Sequence, residues 1–498
     1  MPSITASSWR GCYSIAEAGS RRDVQLLLVC VPKGMSKKSS TIRQGSFGRS
    51  LAVSVAGLRA GGAFAIDGAL QRLRPHGQDE LRSDSPFIRK EARRFVAELG
   101  RLKGTYVKIG QMLALLGEHF LPRALTEALQ ELNAATEPLP WEVIEPQLQA
   151  SLGRRLSELK VEPAALAAAS LAQVHRATVI ATGEEICLKV QYPGLREVID
   201  SDFDAVVRML LLARWVKAGR ELDDWLESMR RHLHLEIDYR HEAAMGDTVA
   251  ELVARDTATP NGSAYYVPRR FPRYCCDDVL ALEHIEGWQV NRQEVAALSQ
   301  RRRNALGRSM LELFFHELYS WGVLQTDPNF GNYLIRSGSR RDELVLLDFG
   351  STLSCERTFL RHLGNAIAAG QAQDREALLA SLMGLGCLNA DSSAYARESF
   401  SDFCLGLLEP LRPPAELPAE YLNDRGQYRW GRSRLLRRAG KAAASSAASL
   451  DFATPSRDFA LIARKLTGVF TFIAVLDAEF NAHDLVRRHI RRWQEDSQ

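Results

Sequence analysis

Two acidic motifs in the second half of the chain contain the residue types that hold phosphate groups through a metal ion. Asp327 opens the run Asp-Pro-Asn-Phe-Gly-Asn, which Asn332 closes, and Asp348 begins an Asp-Phe-Gly triplet after an apolar run. At this spacing one carboxylate can face the group that attacks a phosphate, while the amide and the second carboxylate bind Mg²⁺. We therefore predict that Asp327 is catalytic and that Asn332 and Asp348 are metal ligands.

A lysine further upstream would complete a nucleotide site. Lys189 follows the apolar run Ile186 to Leu188, which is typical of the strand lysine that contacts the α- and β-phosphates of a nucleotide. The pair Thr182-Gly183, between two alternating segments, predicts a β-hairpin turn just before it. Taken alone, each of the three motifs is more often an ordinary turn or a surface residue. The lysine, the Asp327 loop and the Asp348 triplet in this chain order nevertheless favour a nucleotide site.

Three carboxylates that could hold this lysine lie on one predicted helix: Glu236, Asp238 and Glu242. Helical pitch places Asp238 and Glu242 on the same face and turns Glu236 away from them. The same helix offers an alternative, a metal site formed by His234, Asp238 and His241, whose spacings of four and three residues also share a face. This alternative is the weaker one, because Asp238 and Glu242 already have roles in the nucleotide interpretation.

Several features of protein kinases are missing from the sequence. The turn before the strand lysine is rich in alanine instead of glycine, and the residues expected to face the nucleotide are Ala167, Ala168, Ala169 and Ser170. Because each alanine adds a Cβ, this loop should be stiffer than a glycine loop. Gln325 and Thr326 replace the usual His-Arg pair, and no Ala-Pro-Glu triplet follows Asp348. A protein substrate is therefore not expected.

The composition of the chain narrows its class. The 498 residues are 46% hydrophobic and 25% charged, which is typical of a globular protein and excludes disordered and coiled-coil classes. The 64 basic and 60 acidic residues are too nearly balanced for nucleic-acid binding over the whole surface. The eight cysteines are scattered, and no apolar run is long enough to span a bilayer. These features predict a protein of a reducing, cytoplasmic compartment without disulfides.

The N-terminal part of the chain has a different character. Residues 1–50 contain eight Lys or Arg and two acids, and we interpret them as a disordered basic arm. The polar sequence that begins at Met35 resembles a natural start, so residues 1–34 are interpreted as a mis-assigned extension. Residues 51–85 are rich in Gly and Ala and predict a helix followed by a linker.

The remaining pattern predicts an α+β, protein-kinase-like fold of two lobes. Helical spacing over 86–160 indicates a helical extension, and alternation over 161–287 indicates a small mixed lobe. Residues 288–498 are dominated by helical patterning and would form the larger lobe, which carries the acidic motifs. Between the lobes, Glu283 and Ile285 are expected to meet adenine through their backbone groups.

The chain resembles the atypical kinases called ABC1, UbiB or AarF, whose eukaryotic members are the Coq8 and ADCK proteins. The resemblance rests on motifs spread over the predicted extension and both lobes. These are Lys108-Ile109-Gly110-Gln111, similar to a K-x-G-Q motif; Ala167 to Ser170 with Gln173-Val174-His175, similar to an alanine-rich loop; Glu236-Ile237-Asp238, similar to an E-x-D motif; Thr326 to Asn329 with Asn332, similar to the catalytic loop; and Glu242, at the position of the lysine-pairing glutamate.

The resemblance implies a fold in which the K-x-G-Q helices lie across the active site and block peptide access. It implies that Lys108, Gly110, Gln111, Glu236 and Asp238 regulate the site, and that the protein binds ATP or ADP with Mg²⁺. It further implies weak or conditional ATPase activity and a role in ubiquinone-like isoprenoid-lipid metabolism. Three functions stay open: a small-molecule or lipid kinase, an ATPase that extracts or presents lipids, and a nucleotide-binding scaffold without turnover.

Two basic segments suggest a partner for the surface of the large lobe. Residues 425–450 contain seven Lys or Arg and no acid, and four arginines share one face of a predicted C-terminal helix: Arg487, Arg488, Arg491 and Arg492. Such segments suit anionic headgroups, so peripheral contact with the inner membrane is one expectation. An ordinary solvated basic face is as good an interpretation. No aromatic residues interleave with the charges, so a nucleic-acid partner is not expected.

Overall fold

A computed structural model describes residues 86–439 and 456–495, with gaps at 103, 115–120, 122, 131, 133–136, 213–214, 217–219, 256–263 and 339–340. The predicted basic arm, the Gly/Ala-rich helix and part of the basic segment 425–450 lie outside the described residues. Among the helices in the described ranges, none combines the length and the apolar character that crossing a bilayer requires.

The described residues form a small antiparallel sheet and a larger helical lobe, which confirms the predicted α+β class. The strands are β1 (Leu159–Ala168), β2 (Ala172–Val179), β3 (Glu185–Gln191), β4 (Ala264–Tyr266), β5 (Val279–Glu283), β6 (Leu324–Gln325), β7 (Tyr333–Arg336), β8 (Glu343–Leu346) and β9 (Thr352–Leu353). The helices of eight residues or more are α1 (Pro86–Leu102), α2 (Thr105–Leu113), α3 (Arg123–Gln130), α4 (Trp141–Leu152), α5 (Leu195–Leu212), α6 (Arg220–Glu236), α7 (Tyr239–Arg255), α8 (Gln300–His316), α9 (Arg357–Gln371), α10 (Arg375–Gly384), α11 (Ala394–Leu407), α12 (Arg457–Val475) and α13 (His483–Glu495).

The four-stranded sheet has the order β1-β2-β3-β5 and is antiparallel throughout. Gly183, with φ of 74°, closes the turn between β2 and β3, so the hairpin predicted at Thr182-Gly183 is confirmed. The sequence predicts a loop for the alanine run from Ala164 to Ser170, and this is wrong for Ala164 to Ala168. Strand β1 continues to Ala168, because pairing with β2 overrides the low strand propensity of alanine. Only Ala169 to Leu171 form the turn.

The helical extension is built into the protein by a shared core. Apolar side chains of α1, α2 and α3 pack with those of α5 and α6, as in the cluster that contains Phe95, Ile109, Leu129, Phe203 and Leu233. Helix α4 instead packs on the sheet, through Ile144 and Leu148. The extension is therefore attached to the segment inserted between β3 and α7.

The larger lobe surrounds a separate core formed mainly by α8 to α13. Helix α8 continues into a π-helical turn, Glu317–Trp321, which leads into β6. Strands β6 and β9 pair with each other, and β7 pairs with β8. The segment from Asp327 to Asn332 joins β6 to β7, and Asp348 lies between β8 and β9. The two pairings therefore bring the acidic motifs next to each other.

The glycine of the K-x-G-Q segment is required by packing. A Cβ on Gly110 of α2 would overlap the side chain of Leu132. We predict that Gly110→Ala destabilises the protein by about 1–3 kcal/mol, because overpacking forces neighbouring side chains and backbone to shift. Gly406→Ala in α11 is the matched control, because a Cβ there meets no atom within 4 Å and the change should stabilise the helix by up to about 1 kcal/mol.

Urea unfolding of the two variants and the parent gives the comparison. Equal free energies of unfolding for Gly110→Ala and Gly406→Ala would show that α2 does not need the close approach at residue 110.

Candidate functional site

Lys189 joins two acidic residues that are distant in sequence. Its Nζ donates to both carboxylate oxygens of Glu242, at 2.7 and 2.8 Å, and to Oδ2 of Asp348 at 3.0 Å. Lys189 lies on β3, Glu242 in the first turn of α7, and Asp348 just after β8. The structure therefore brings together three of the predicted site residues at the junction of the two lobes.

The charges of these three groups depend on one another. Burial raises the pKa of Glu242 to about 7, and repulsion from Asp348 adds to this, whereas the ammonium of Lys189 opposes it. Burial also acts to raise the pKa of Asp348, but Lys189 and the amide of Gly350 outweigh it and hold this pKa below its usual value. The amide of Gly350 donates to Oδ1 of Asp348 at 2.9 Å. One cation thus stabilises two carboxylates that would otherwise repel each other.

The helix predicted to carry Glu236, Asp238 and Glu242 is in fact two helices. Helix α6 ends at Glu236 and α7 begins at Tyr239. Oδ1 of Asp238 accepts hydrogen bonds from the amides of residues 240 and 241, at 3.1 and 3.0 Å. This is the position and bonding of an N-cap aspartate, which ends one helix and starts the next. The cap places Glu242 in the first turn of α7, where it can reach the sheet.

The alternative metal site on this segment does not form. Nε2 of His234 lies 3.0 Å from Oδ1 of Asp200 on α5, and the carboxylate of Asp238 is used by the cap of α7. Within the described residues, the ligand atoms of these three side chains do not come together as a metal-binding group.

The catalytic-loop residues hold one another in place. Nδ2 of Asn332 donates to Oδ2 of Asp327 at 2.9 Å and to its carbonyl at 3.2 Å. The amide of Leu347 donates to the carbonyl of Asn332 at 3.0 Å. Since Leu347 directly precedes Asp348, the two residues predicted to bind Mg²⁺ lie on adjacent chain segments at the same end of β7 and β8.

Helix α12 contributes residues to the site that the sequence analysis missed. The guanidinium of Arg464 donates to Oδ1 of Asp327 at 3.2 Å. One turn further on, a Cβ on Gly468 would overlap Pro328, so the helix packs directly on the catalytic loop. These contacts join residues more than 130 positions apart. No local sequence motif could therefore have predicted them.

A buried lysine of the same helix supports the start of the catalytic loop. Nζ of Lys465, whose side chain is 1% exposed, donates to Gln325 at 2.6 Å and to the hydroxyl of Tyr333 at 2.5 Å. It also lies 3.6 Å from the buried carboxylate of Glu317. Burial lowers the pKa of Lys465 and raises that of Glu317. The polar network therefore ties α12, the π-helical turn and β6 together beneath Asp327.

Lys108 of the extension reaches the same site. Its Nζ forms an ion pair with Glu236, and the two side chains are 16% and 28% exposed. Burial acts to lower the pKa of Lys108, but the carboxylates of Glu236, Asp327 and Asp348 outweigh it and raise this pKa. The ammonium of Lys108 is therefore close enough to both acidic motifs to be stabilised by their charge.

The other residues of the K-x-G-Q and E-x-D motifs have structural contacts. Nε2 of Gln111 donates to the carbonyl of Leu132 at 3.5 Å, so it binds within the extension. Asp238 caps α7. Among these motif residues, Lys108 and Glu236 are the pair that the structure brings to the acidic motifs.

The alanine-rich hairpin is anchored on both sides of its turn. The hydroxyl of Tyr192 donates to the carbonyl of Ala169 at 3.0 Å. Gln173 exchanges hydrogen bonds with the backbone of Leu139 and contacts the buried ring of His175 at 2.8 Å. The tip of the hairpin, with Ala167, Ala168 and Ser170 at least partly exposed, is therefore a stiff edge of the sheet.

The predicted hinge follows β5. The amide of Glu283 donates to the carbonyl of Arg269 at 2.8 Å, and that of His284 donates to Glu185 at 3.1 Å. The carboxylate of Glu283 accepts a hydrogen bond of 2.6 Å from Tyr266. The chain then continues through buried Ile285 into the larger lobe.

Comparison with known proteins agrees with this geometry. A family model described as the ABC1 atypical kinase-like domain matches residues 131–382. The chain is 28% identical over 321 residues to "Atypical kinase COQ8, mitochondrial" of Saccharomyces cerevisiae, which covers 64% of this chain and 62% of that protein. It is 28% identical over 445 residues to "Atypical kinase COQ8B, mitochondrial" of Rattus norvegicus, which covers 88% and 80%. The chain thus spans less than two thirds of the yeast protein.

A solved structure supports the fold. The complex of Rv3197 with erythromycin from Mycobacterium tuberculosis aligns with a TM-score of 0.54 and 22% identity, covering 80% of this chain and 94% of that one. At this identity the likeness concerns the fold alone, and it confirms the predicted kinase-like, two-lobed architecture.

The buried network below the catalytic loop gives a prediction. Lys465→Met should destabilise the protein by about 3–5 kcal/mol, because Glu317 would lose its buried cation. The double variant Glu317→Gln/Lys465→Met should recover part of that loss, since no uncompensated charge remains. Free energies of unfolding in urea measure both effects.

Lys160→Met on β1 is the control, because this lysine is exposed and its loss should change stability by about 0.5 kcal/mol or less. A double variant no more stable than Lys465→Met alone would contradict the charge-pair account.

Proposed function

Because the chain belongs to the family of ABC1 atypical kinase-like domains, we propose that it binds Mg²⁺ and ATP between its lobes and transfers the γ-phosphoryl group to a small-molecule hydroxyl or to water. One observation carries this proposal. Lys189 holds Glu242 and Asp348 together at the lobe junction, beside the linked pair Asp327 and Asn332. These are the parts that phosphoryl transfer needs for positioning and charge stabilisation.

The nucleotide would lie along the sheet. Adenine would meet the carbonyl of Glu283 and the amide of Ile285, since the amides of Glu283 and His284 already donate to the carbonyls of Arg269 and Glu185. The α- and β-phosphates would contact Lys189. The tip of the alanine-rich hairpin, from Ala167 to Ser170, would cover them with backbone N–H groups.

Asn332 and Asp348 fit a magnesium site. Both offer oxygen ligands, which Mg²⁺ prefers, and few protein ligands suffice because substrate phosphates and water complete the shell. When bound, Mg²⁺ neutralises the charge that develops on the phosphates. Asp348 would exchange part of its present contact with Lys189 for the metal, which frees the lysine to bind phosphate.

Asp327 would accept the proton of the attacking hydroxyl or water. Asn332 donates to one carboxylate oxygen of Asp327, and Arg464 of α12 donates to the other. Because both oxygens are held, the carboxylate needs little reorganisation during the reaction. Arg464 is a positioning residue in this scheme, because its contact is with Asp327.

The position of the helical extension favours a small molecule as the phosphoryl acceptor. Lys108 lies near Asp327 and Asp348, where a peptide substrate of a protein kinase would bind. A lipid or isoprenoid alcohol of a ubiquinone-like pathway is the acceptor that the family membership favours. The four arginines of α13 are exposed, and they would bind anionic headgroups if the protein acts at a membrane surface.

Turnover tests the function directly. Purified protein with radiolabelled ATP and Mg²⁺ should release labelled phosphate or label an organic acceptor, in the presence or absence of anionic liposomes and a quinone-precursor mimic. Asp348→Asn should weaken Mg²⁺-dependent nucleotide binding by several kcal/mol and abolish turnover, because the main charged metal ligand is lost. Asp391→Asn, in an exposed loop, should behave as the parent.

The products separate the candidates. Label in an organic molecule selects a kinase, and free phosphate alone selects an ATPase. Nucleotide binding without either product would show that the protein is a regulatory scaffold and not an enzyme. If Mg²⁺-ATP raises the melting temperature of Asp348→Asn as much as that of the parent, Asp348 is not a metal ligand.

The Lys108–Glu236 pair gives a prediction about regulation. Lys108→Ala should change ATP affinity or basal turnover, because a partly buried cation next to the acidic motifs is lost. Glu236→Ala should give an overlapping effect, so that the double variant is less than additive. Lys90→Ala, on the exposed side of α1, is the control in the same extension. If both single variants leave binding and turnover unchanged, Lys108 does not gate the site.

A further inference from the structure

The larger lobe contains a group of side chains of metal-ligating types, on helices that hold none of the residues assigned to the nucleotide site. Glu312 and His316 are four residues apart on α8 and therefore share a face. His489 of α13 lies opposite them. One ligand atom from each of the three residues lies within 4.8 Å of the other two.

The approach of these side chains is close and oriented. Oε1 of Glu312 lies 4.0 Å from Nε2 of His489. The rings of His316 and His489 meet edge to face, with centroids 4.6 Å apart. Each ring is also stacked on an aromatic residue, His316 on Trp321 and His489 on Phe315. The surrounding aromatic rings therefore limit the rotation of both imidazoles.

We propose that Glu312, His316 and His489 form a Zn²⁺ site, with water in the fourth position. Two imidazoles and one carboxylate are a ligand set that Zn²⁺ takes in tetrahedral geometry. Zn–N bonds of 2.0–2.1 Å place neighbouring donors about 3.3 Å apart. Glu312 and His489, 4.0 Å apart, therefore need to approach by roughly 0.7 Å, and a donor pair at the 4.8 Å limit by roughly 1.5 Å. Rotation of the Glu312 side chain with small shifts of the two rings would provide movements of this size.

The donor atoms of the cluster select the kind of ion, in a setting that also contains arginines. Arg308 is close to Glu312, and Arg488 and Arg492 are close to His489. A hard cation such as Mg²⁺ or Ca²⁺ is held mainly by anionic oxygen, of which this cluster offers one carboxylate. Imidazole nitrogen suits Zn²⁺ better than these hard cations.

The position of the cluster gives the ion a structural effect. It would fasten α13 to α8 one residue before the π-helical turn Glu317–Trp321, which leads into β6 and the catalytic loop. Because the ligands come together only in the folded protein, binding energy becomes folding energy. The site is independent of the nucleotide chemistry, so either proposal can fail without the other.

Metal binding to the full chain tests the proposal. Protein stripped with a chelator and then titrated should bind one equivalent of Zn²⁺ at the cluster, and Co²⁺ in its place should give visible bands of a tetrahedral site. X-ray absorption of the zinc-loaded parent should show two imidazole ligands. Zn²⁺ should also raise the melting temperature, since it binds the folded state.

Glu312→Gln and His489→Gln should each weaken Zn²⁺ binding more than about 100-fold. Changes to residues that only support metal ligands typically weaken binding by about 10–100-fold, so a larger loss identifies a ligand. Two controls should keep the Co²⁺ bands: His483→Gln, which removes another histidine of α13, and Asp348→Asn, which removes the nucleotide-site ligand. The melting temperature of each variant in chelator should match that of the stripped parent, which separates lost metal binding from lost folding.

Several results would overturn the proposal. They are a parent that retains no Zn²⁺ after desalting, an absorption spectrum without imidazole ligands, and equal Zn²⁺ affinity in the parent and in both ligand variants. In each case Glu312 and His489 form an ordinary ion pair between two helices.

Discussion

The interaction of Lys189 with two carboxylates is the contact on which the rest of the site depends. Glu242 is buried and Asp348 is partly buried, and without a shared cation their charges could not coexist so close together. The contact joins the sheet, α7 and the segment after β8, so the same ion pair that balances charge also fixes the two lobes against each other. Binding a nucleotide would redistribute these contacts without requiring new charged residues.

Local charge balance explains why other cations gather here. Glu236, Asp327 and the two partners of Lys189 are four carboxylates, and Lys108, Arg464 and Lys189 are three cations, each in contact with at least one of them. The group is thus short of positive charge by about one unit, which a divalent metal would more than compensate. ATP carries negative charge, so a bound nucleotide would need the metal and these cations to offset it.

The residues that sequence could predict are those that belong to short local motifs, even where their partners are distant in the chain. Asp327, Asn332, Asp348 and Lys189 stand out because their chemistry depends on short spacings and on the ends of strands. Arg464 and Lys465 could not be found in this way, since a helix that packs on a distant loop leaves only an apolar period in the sequence. The break at Asp238 was signalled by a good N-cap residue, but the four-residue spacing to Glu242 is equally consistent with one continuous helix. The strand character of the alanine run depends on its pairing with β2, and no local propensity reports that pairing.

The shared core of the extension constrains how Lys108 and Glu236 could move relative to each other. Lys108 lies on α2 and Glu236 at the end of α6, and both helices contribute to the same apolar cluster. Breaking their ion pair therefore does not release one helix from the other. The contacts that can change are those between this unit and the larger lobe, which include the electrostatic attraction of Lys108 to Asp327 and the contact of Arg457 with His232 at 3.0 Å. A small rigid rotation of the unit would withdraw the ammonium from the catalytic loop and leave its own core intact, as expected for packed units that move as a whole.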